Sequence, residues 1–247
     1  MLATQSDSAA LRIGSALHAA VLEPGTYRYR YATAPDVDRR TKAGKSAYAE
    51  WESTLAEGVT ILRAAESETV DQIAMAVMDS PIAMEVLEVA TYREVSAFST
   101  LHGVPCRSRL DAMTPDSQLV CDIKTTGGLA STKEMEQAVW KYGYGLQMCM
   151  YREMLRVNSR EPEAMVIIAA EKSAPYGVQV FTLDPEVLDL HIPRLERLLR
   201  RWQDTVGSGL YPSWEQGDFT PLGVPDWARR DLVLEAELAA INERTVS

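Results

Sequence analysis

Three side chains set the chemical question: Asp111 in RLDAM (109–113), and Asp122 and Lys124 in LVCDIKTT (119–126). The second stretch reads as a strand. Alternation places Asp122 and Lys124 on one side and Cys121 and Ile123 on the other. The strand before it ends in RLDAM after a short turn, so Asp111 falls about one strand over from Asp122. Two neighbouring carboxylates repel, and burying them costs more still. A divalent cation between them removes the conflict, and hard oxygen donors suit Mg²⁺ or Mn²⁺. Lys124 can then orient a water or offset charge on a pentavalent phosphate. An aspartate, about ten residues and Asp-x-Lys thus form a compact device for metal-assisted phosphodiester hydrolysis. The plainer alternative is a surface ion pair on the wet side of a sheet, which stabilises little.

The elements that must position these residues follow from pattern and punctuation. Residues 11–23 suit a helix ended by Pro24-Gly25, and 26–46, rich in Tyr, Arg and Lys, reads as a long surface excursion. Residues 47–90 are helical in pattern, broken at Pro81. Strands are expected at 92–101, 104–113 and 118–125, with turns at His102-Gly103 and TPDS (114–117). Gly127-Gly128 releases the chain into a helix over 133–157. Strands at 165–172 and 176–183 follow, then a helix from 185 to 206. The expected fold is one α/β domain over 1–247. Its core lies at about 11–206, with an irregular C-terminal segment and a last helix in 207–247. KAGKS (42–46) imitates the end of a P-loop. However, Arg39 stands where that motif needs glycine, and no apolar strand precedes it.

The bulk numbers exclude more than they assign. A net charge of −10 argues against coating nucleic acid through bulk positive charge, without excluding a local basic groove. Three scattered cysteines make neither a disulfide framework nor a four-cysteine metal site, and point to a reduced, cytoplasmic protein. No apolar run is long enough for a membrane span, and MLATQSDSAA does not read as a signal peptide.

The sequence resembles the PD-(D/E)xK nucleases, and within them the RecE-like phage and prophage exonucleases of the exonuclease VIII type, related to the RecB nuclease domain. Five stretches carry the resemblance: GSALHAAVLEP (14–24), EVSAFSTLHGVPCRSRLD (94–111), CDIKTT (121–126), YGYGLQMCMY (142–151) and EKSAPYGVQVFTLD (171–184). The late PDWA (225–228) adds to them. The resemblance implies a restriction-endonuclease-like α/β domain with a central mixed sheet flanked by helices. It implies that Asp111 and Asp122 are metal ligands with the Ile123 carbonyl, that Lys124 is the catalytic lysine, and that His18 is a further metal ligand. Glu94 would sit near the metals or hold a water, and Gln147 and Tyr151 would contact the DNA or the phosphate next to the scissile bond. It further implies Mg²⁺ or Mn²⁺, two per active site, and hydrolysis at double-stranded DNA ends to expose single strands for recombination. A single-strand annealing protein and a homo-oligomer in a bacterial host are the implied partners.

The residues themselves leave alternatives open. A lone histidine on an apolar helix is commonly a satisfied core residue, and Glu94 could be an exposed strand glutamate. Gln147 and Tyr151 share a face as a simple helix edge. RLERLLRR (194–201) reads as a wet helix face. Nicking or flap cutting, or a silent DNA- or protein-binding module, would keep the same fold.

Overall fold

Three consecutive strands carry the carboxylates. β3 (Tyr92–Leu101), β4 (Val104–Met113) and β5 (Leu119–Thr126) form an antiparallel run and occupy nearly the spans their alternation predicts. The computed structural model describes residues 8–211. They divide into a compact unit ending at Asp204 and the start of a second from Thr205.

Around these strands lie α1 (Ala9–Leu22), α2 (Pro24–Arg30), β1 (Tyr31–Thr33), α3 (Lys42–Ser53), β2 (Thr60–Leu62), α4 (Ala64–Asp79) and α5 (Pro81–Val89) before them. α6 (Thr132–Lys141), α7 (Tyr144–Val157), β6 (Ala164–Glu171), β7 (Val178–Thr182) and α8 (Pro185–Ser208) follow. The main sheet has the order β3-β4-β5-β6-β7. Only β5 and β6 run parallel, joined by the α6–α7 crossover, so the sheet is mixed. β1 and β2 make a separate parallel pair.

The sheet is covered on both faces. Cys121, Ile123, Val166 and Ile168 pack with Leu17 of α1, Val70, Ile73 and Val77 of α4 and Leu87 of α5. Val120, Met165 and Ile167 pack on the other side with Met148 and Met154 of α7 and Leu188, Leu195 and Leu199 of α8. A strand buried on both faces reads as a continuous apolar run, which is why β6 is AMVIIAAE. Among the described residues no helix is long and apolar enough to cross a membrane. The three cysteines are buried and free.

Several expectations need correction. Pro24 ends α1 but also stands at the first position of α2, so the presumed excursion at 26–46 begins as a helix and a short strand. The stretch 47–90 contains β2 as well as helices. The helix expected over 133–157 is two helices, interrupted where Gly143 takes φ 74°. KAGKS opens α3, capped by the Thr41 hydroxyl, and a side chain at Gly44 would collide with the Asp38 carbonyl. The expected last helix and PDWA (225–228) lie outside the described residues.

Candidate metal centre

Register brings the acids into one row. Arg93 pairs with Ala112 and Val95 with Leu110, which leaves Glu94 facing Asp111. Ala112 pairs with Cys121, which sets Asp111 beside Asp122. The ladder between β4 and β5 stops there, and the Asp111 carboxylate takes over its role: Oδ2 accepts the Ile123 N–H at 2.8 Å. Glu94 holds a left-handed φ of 50°, a costly conformation for a non-glycine residue and one that collects at functional sites.

α1 delivers His18 to this row. Its Nε2 lies 2.8 Å from the Ile123 carbonyl oxygen, and its Nδ1 lies 3.3 Å from Asp111 Oδ2. A carbonyl only accepts, so Nε2 carries the proton. In the neutral ring Nδ1 then presents a lone pair to a carboxylate. Two acceptors face to face call for a proton or a cation between them. The His18 pKa accordingly lies above its ordinary value. Burial resists the charge, but the hydrogen bond and field of Asp111, with the field of Asp122, outweigh it against Lys124.

His18, Glu94 and Asp111 each offer one donor atom, and these atoms lie within 4.8 Å of one another. The donor set, two carboxylates and one imidazole, fits a divalent cation. Its nitrogen suits Mn²⁺ better than Mg²⁺. Glu94 is also ion-paired to Arg109. Burial raises its pKa, Arg109 opposes that, and Asp111 adds to it.

Asp122 stands outside this set, and other side chains hold it. It is fully buried. Lys124 Nζ lies 2.5 Å from Oδ2, and Gln147 Nε2 donates to Oδ1 at 3.0 Å. The lysine contact is close but poorly directed, so Oδ2 lacks a well-formed hydrogen bond. Burial, then the charge of Asp111, pushes the Asp122 carboxyl up to about 6, against the pull of Lys124. Lys124 also donates to Gln147 Oε1 at 2.9 Å. Behind Gln147 sits the buried Tyr151, whose hydroxyl receives a Gln147 N–H at 2.7 Å and donates to the Arg109 carbonyl at 2.9 Å. In this arrangement Tyr151 fixes Gln147, and Gln147 fixes both Lys124 and Asp122.

The cluster opens into a cavity of about 380 Å³ lined by His18, Glu94, Lys124, Tyr144, Arg30 and Arg109. Arg30 donates to Glu23 Oε2 at 2.7 Å, and Arg109 reaches the same oxygen at 3.6 Å. This Arg–Glu network is not visible in sequence spacing, apart from Arg109 standing two residues before Asp111. RLERLLRR sends Leu195 and Leu199 into the core, with Arg200 pairing to Glu196 on the outside.

Comparison with known proteins bears on the family and the fold. The family described as "PDDEXK-like domain of unknown function (DUF3799)" matches residues 2–213. A crystal structure of a protein from Eubacterium rectale, provisionally described as an exonuclease, superposes with a TM-score of 0.62. The identity is 16%, covering 90% of this chain and 78% of that one. At that identity the likeness is one of fold. The crystal structure of SSO0001 matches at 17% identity over 60% of this chain and 71% of that one, with a TM-score of 0.30 that carries no weight. No curated protein matches the chain.

Proposed function

The chain belongs to the PDDEXK-like family DUF3799, and from that premise we propose that it is a divalent-metal-dependent exodeoxyribonuclease of the RecE-like type. It would hydrolyse phosphodiester bonds at duplex DNA ends to leave single strands. The observation that carries this reading is the His18–Glu94–Asp111 cluster beside the buried Asp122–Lys124 pair.

His18 through Nδ1, Glu94 and Asp111 would hold a cation. Asp122 and the Ile123 carbonyl would be the further donors for a second ion. A bound divalent cation supplies Lewis-acid polarisation of a phosphoryl oxygen and a lowered pKa for water. The protein does the rest. The Ile123 carbonyl fixes the His18 tautomer, as such partners do at metal sites. Arg109 holds Glu94 at the rim. Lys124, half-buried and steadied by Gln147, presents its charge to a phosphate entering the cavity and offsets the charge that develops there. Arg30 and Arg109 add local positive charge to a chain whose net charge is −10. A homo-oligomer around the duplex and a single-strand annealing protein are the partners this reading suggests.

The test uses a linear duplex labelled at each end and a closed circle of the same sequence, with Mg²⁺, with Mn²⁺ and with EDTA. Stepwise loss of end label from the linear form only, abolished by EDTA, is expected. Cutting of the circle would replace the exonuclease by a nicking enzyme. Binding without cutting would leave a silent DNA-binding module.

A further inference from the structure

We propose that the groove running from Lys124 past Tyr144 and Tyr142 to Lys141 and Lys172 is a track for one unpaired nucleic-acid strand; this rests on the nuclease reading above. A second cavity, of about 770 Å³, shares Lys124, Thr125 and Tyr144 with the metal-centre cavity and so continues from it. Two neighbouring rings lie between two cations along its wall. Lys124 Nζ lies 4.9 Å from the Tyr144 ring centroid, the Tyr144 and Tyr142 rings are 5.8 Å apart at 36°, and Lys141 Nζ lies 5.2 Å from the Tyr142 centroid.

The break between α6 and α7 makes this row possible. In one continuous helix, residues 142 and 144 would not face each other. The left-handed Gly143 between them turns the chain so that the rings become neighbours and Tyr142 is left 62% exposed. A side chain at 143 would be strained in that conformation. Gly127, Gly128 and the half-buried Lys172 also line this cavity. Neither Lys141 nor Lys172 has an ion-pair partner among the described residues. Among the described residues Glu134 is the one acid lining this cavity.

An exposed ring beside lysines that carry no ion pair among the described residues is the chemistry that takes up single strands: bases stack on the rings while cations meet the phosphates. A duplex hides its base faces, so the row selects an unpaired strand. Its end at Lys124 delivers that strand to the reacting centre.

The experiment measures binding of a fluorescent oligothymidylate of about twelve nucleotides in EDTA, where no cleavage occurs. The proteins are wild type, Tyr142→Ala, Tyr142→Phe and the double variant Lys141→Ala/Lys172→Ala, each checked by its melting temperature. Tyr142→Ala should bind about 5- to 150-fold more weakly, with Tyr142→Phe restoring most of the affinity. The double variant should bind more weakly, with a log-affinity against log-salt slope shallower by about 1.4, two single-strand phosphates' worth. Affinity and slope unchanged in these variants, or no oligonucleotide binding by wild type, would overturn the track. Cleavage of linear duplex by wild type, run in parallel with Mn²⁺, separates the cases. Active wild type with indifferent variants removes the track alone, whereas inactive wild type removes the nuclease reading.

Discussion

Replacing Asp122 with asparagine should stabilise the metal-free protein while abolishing cleavage. The carboxyl is fully buried, and its pKa is pushed from 3.8 up to about 6. Two pKa units and a little more, at 1.36 kcal/mol each, make the ionised form cost the folded state about 3 kcal/mol above pH 6. The sign follows from linkage. A folded-state pKa above the unfolded one gives stability that is complete below the unfolded value. That stability is lost as pH rises through the folded one, here between about pH 4 and pH 6. Asparagine keeps the neutral shape at every pH and can still accept from Gln147. At about pH 8 in EDTA, calorimetry should show the variant more stable by up to about 3 kcal/mol, or roughly 6–12 °C in Tm for a domain of this size. At about pH 5 the gain should shrink, because wild type is then largely protonated. A variant no more stable than wild type at about pH 8, or a gain that does not depend on pH, would refute the reasoning.

Other perturbations separate the roles of the neighbouring residues. Lys124→Ala should slow cleavage by about 10²- to 10³-fold, the scale of one lost transition-state stabiliser, with Mn²⁺ affinity largely kept in calorimetric titration. His18→Ala should weaken Mn²⁺ binding without much loss of apo stability, about the 0.5–1.5 kcal/mol of one hydrogen bond. In wild type that affinity should fall as pH drops through the raised His18 pKa, because a proton on Nδ1 competes with the ion; titrations across pH check both. Arg109→Ala should release Glu94 and tighten Mn²⁺ binding by about two- to five-fold, the range of one half-exposed ion pair, while raising KM for DNA.

How much of this is legible in the sequence differs by element. β3, β4 and β5 are readable because turn residues bracket alternating stretches, and short turns then force Asp111 beside Asp122. α2 is hidden because Pro24 serves both as a stop and as a helix start. β1 and β2 are three residues each and pair with one another across α3, a distance that no local pattern reports. Gly143 and Gly145 in YGYG (142–145) do signal a break between α6 and α7, but the neighbouring Tyr142 and Tyr144 rings emerge only with the φ of Gly143. At the site, the carboxylates and Lys124 announce themselves through charge inside an apolar strand. His18 does not: its role depends on an Nε2 contact to Ile123, 105 residues away. The pairing of Arg109 with Glu94 depends likewise on the left-handed backbone at Glu94.

The most direct test of the metal centre is anomalous diffraction at the manganese edge from crystals grown or soaked with Mn²⁺. A peak is expected within coordination distance of His18 Nδ1, Glu94 and Asp111, lost in His18→Ala crystals grown the same way. A protein that cleaves DNA with Mn²⁺ yet shows its manganese elsewhere, with His18 Nδ1 still facing Asp111 with no ion between them, would contradict this.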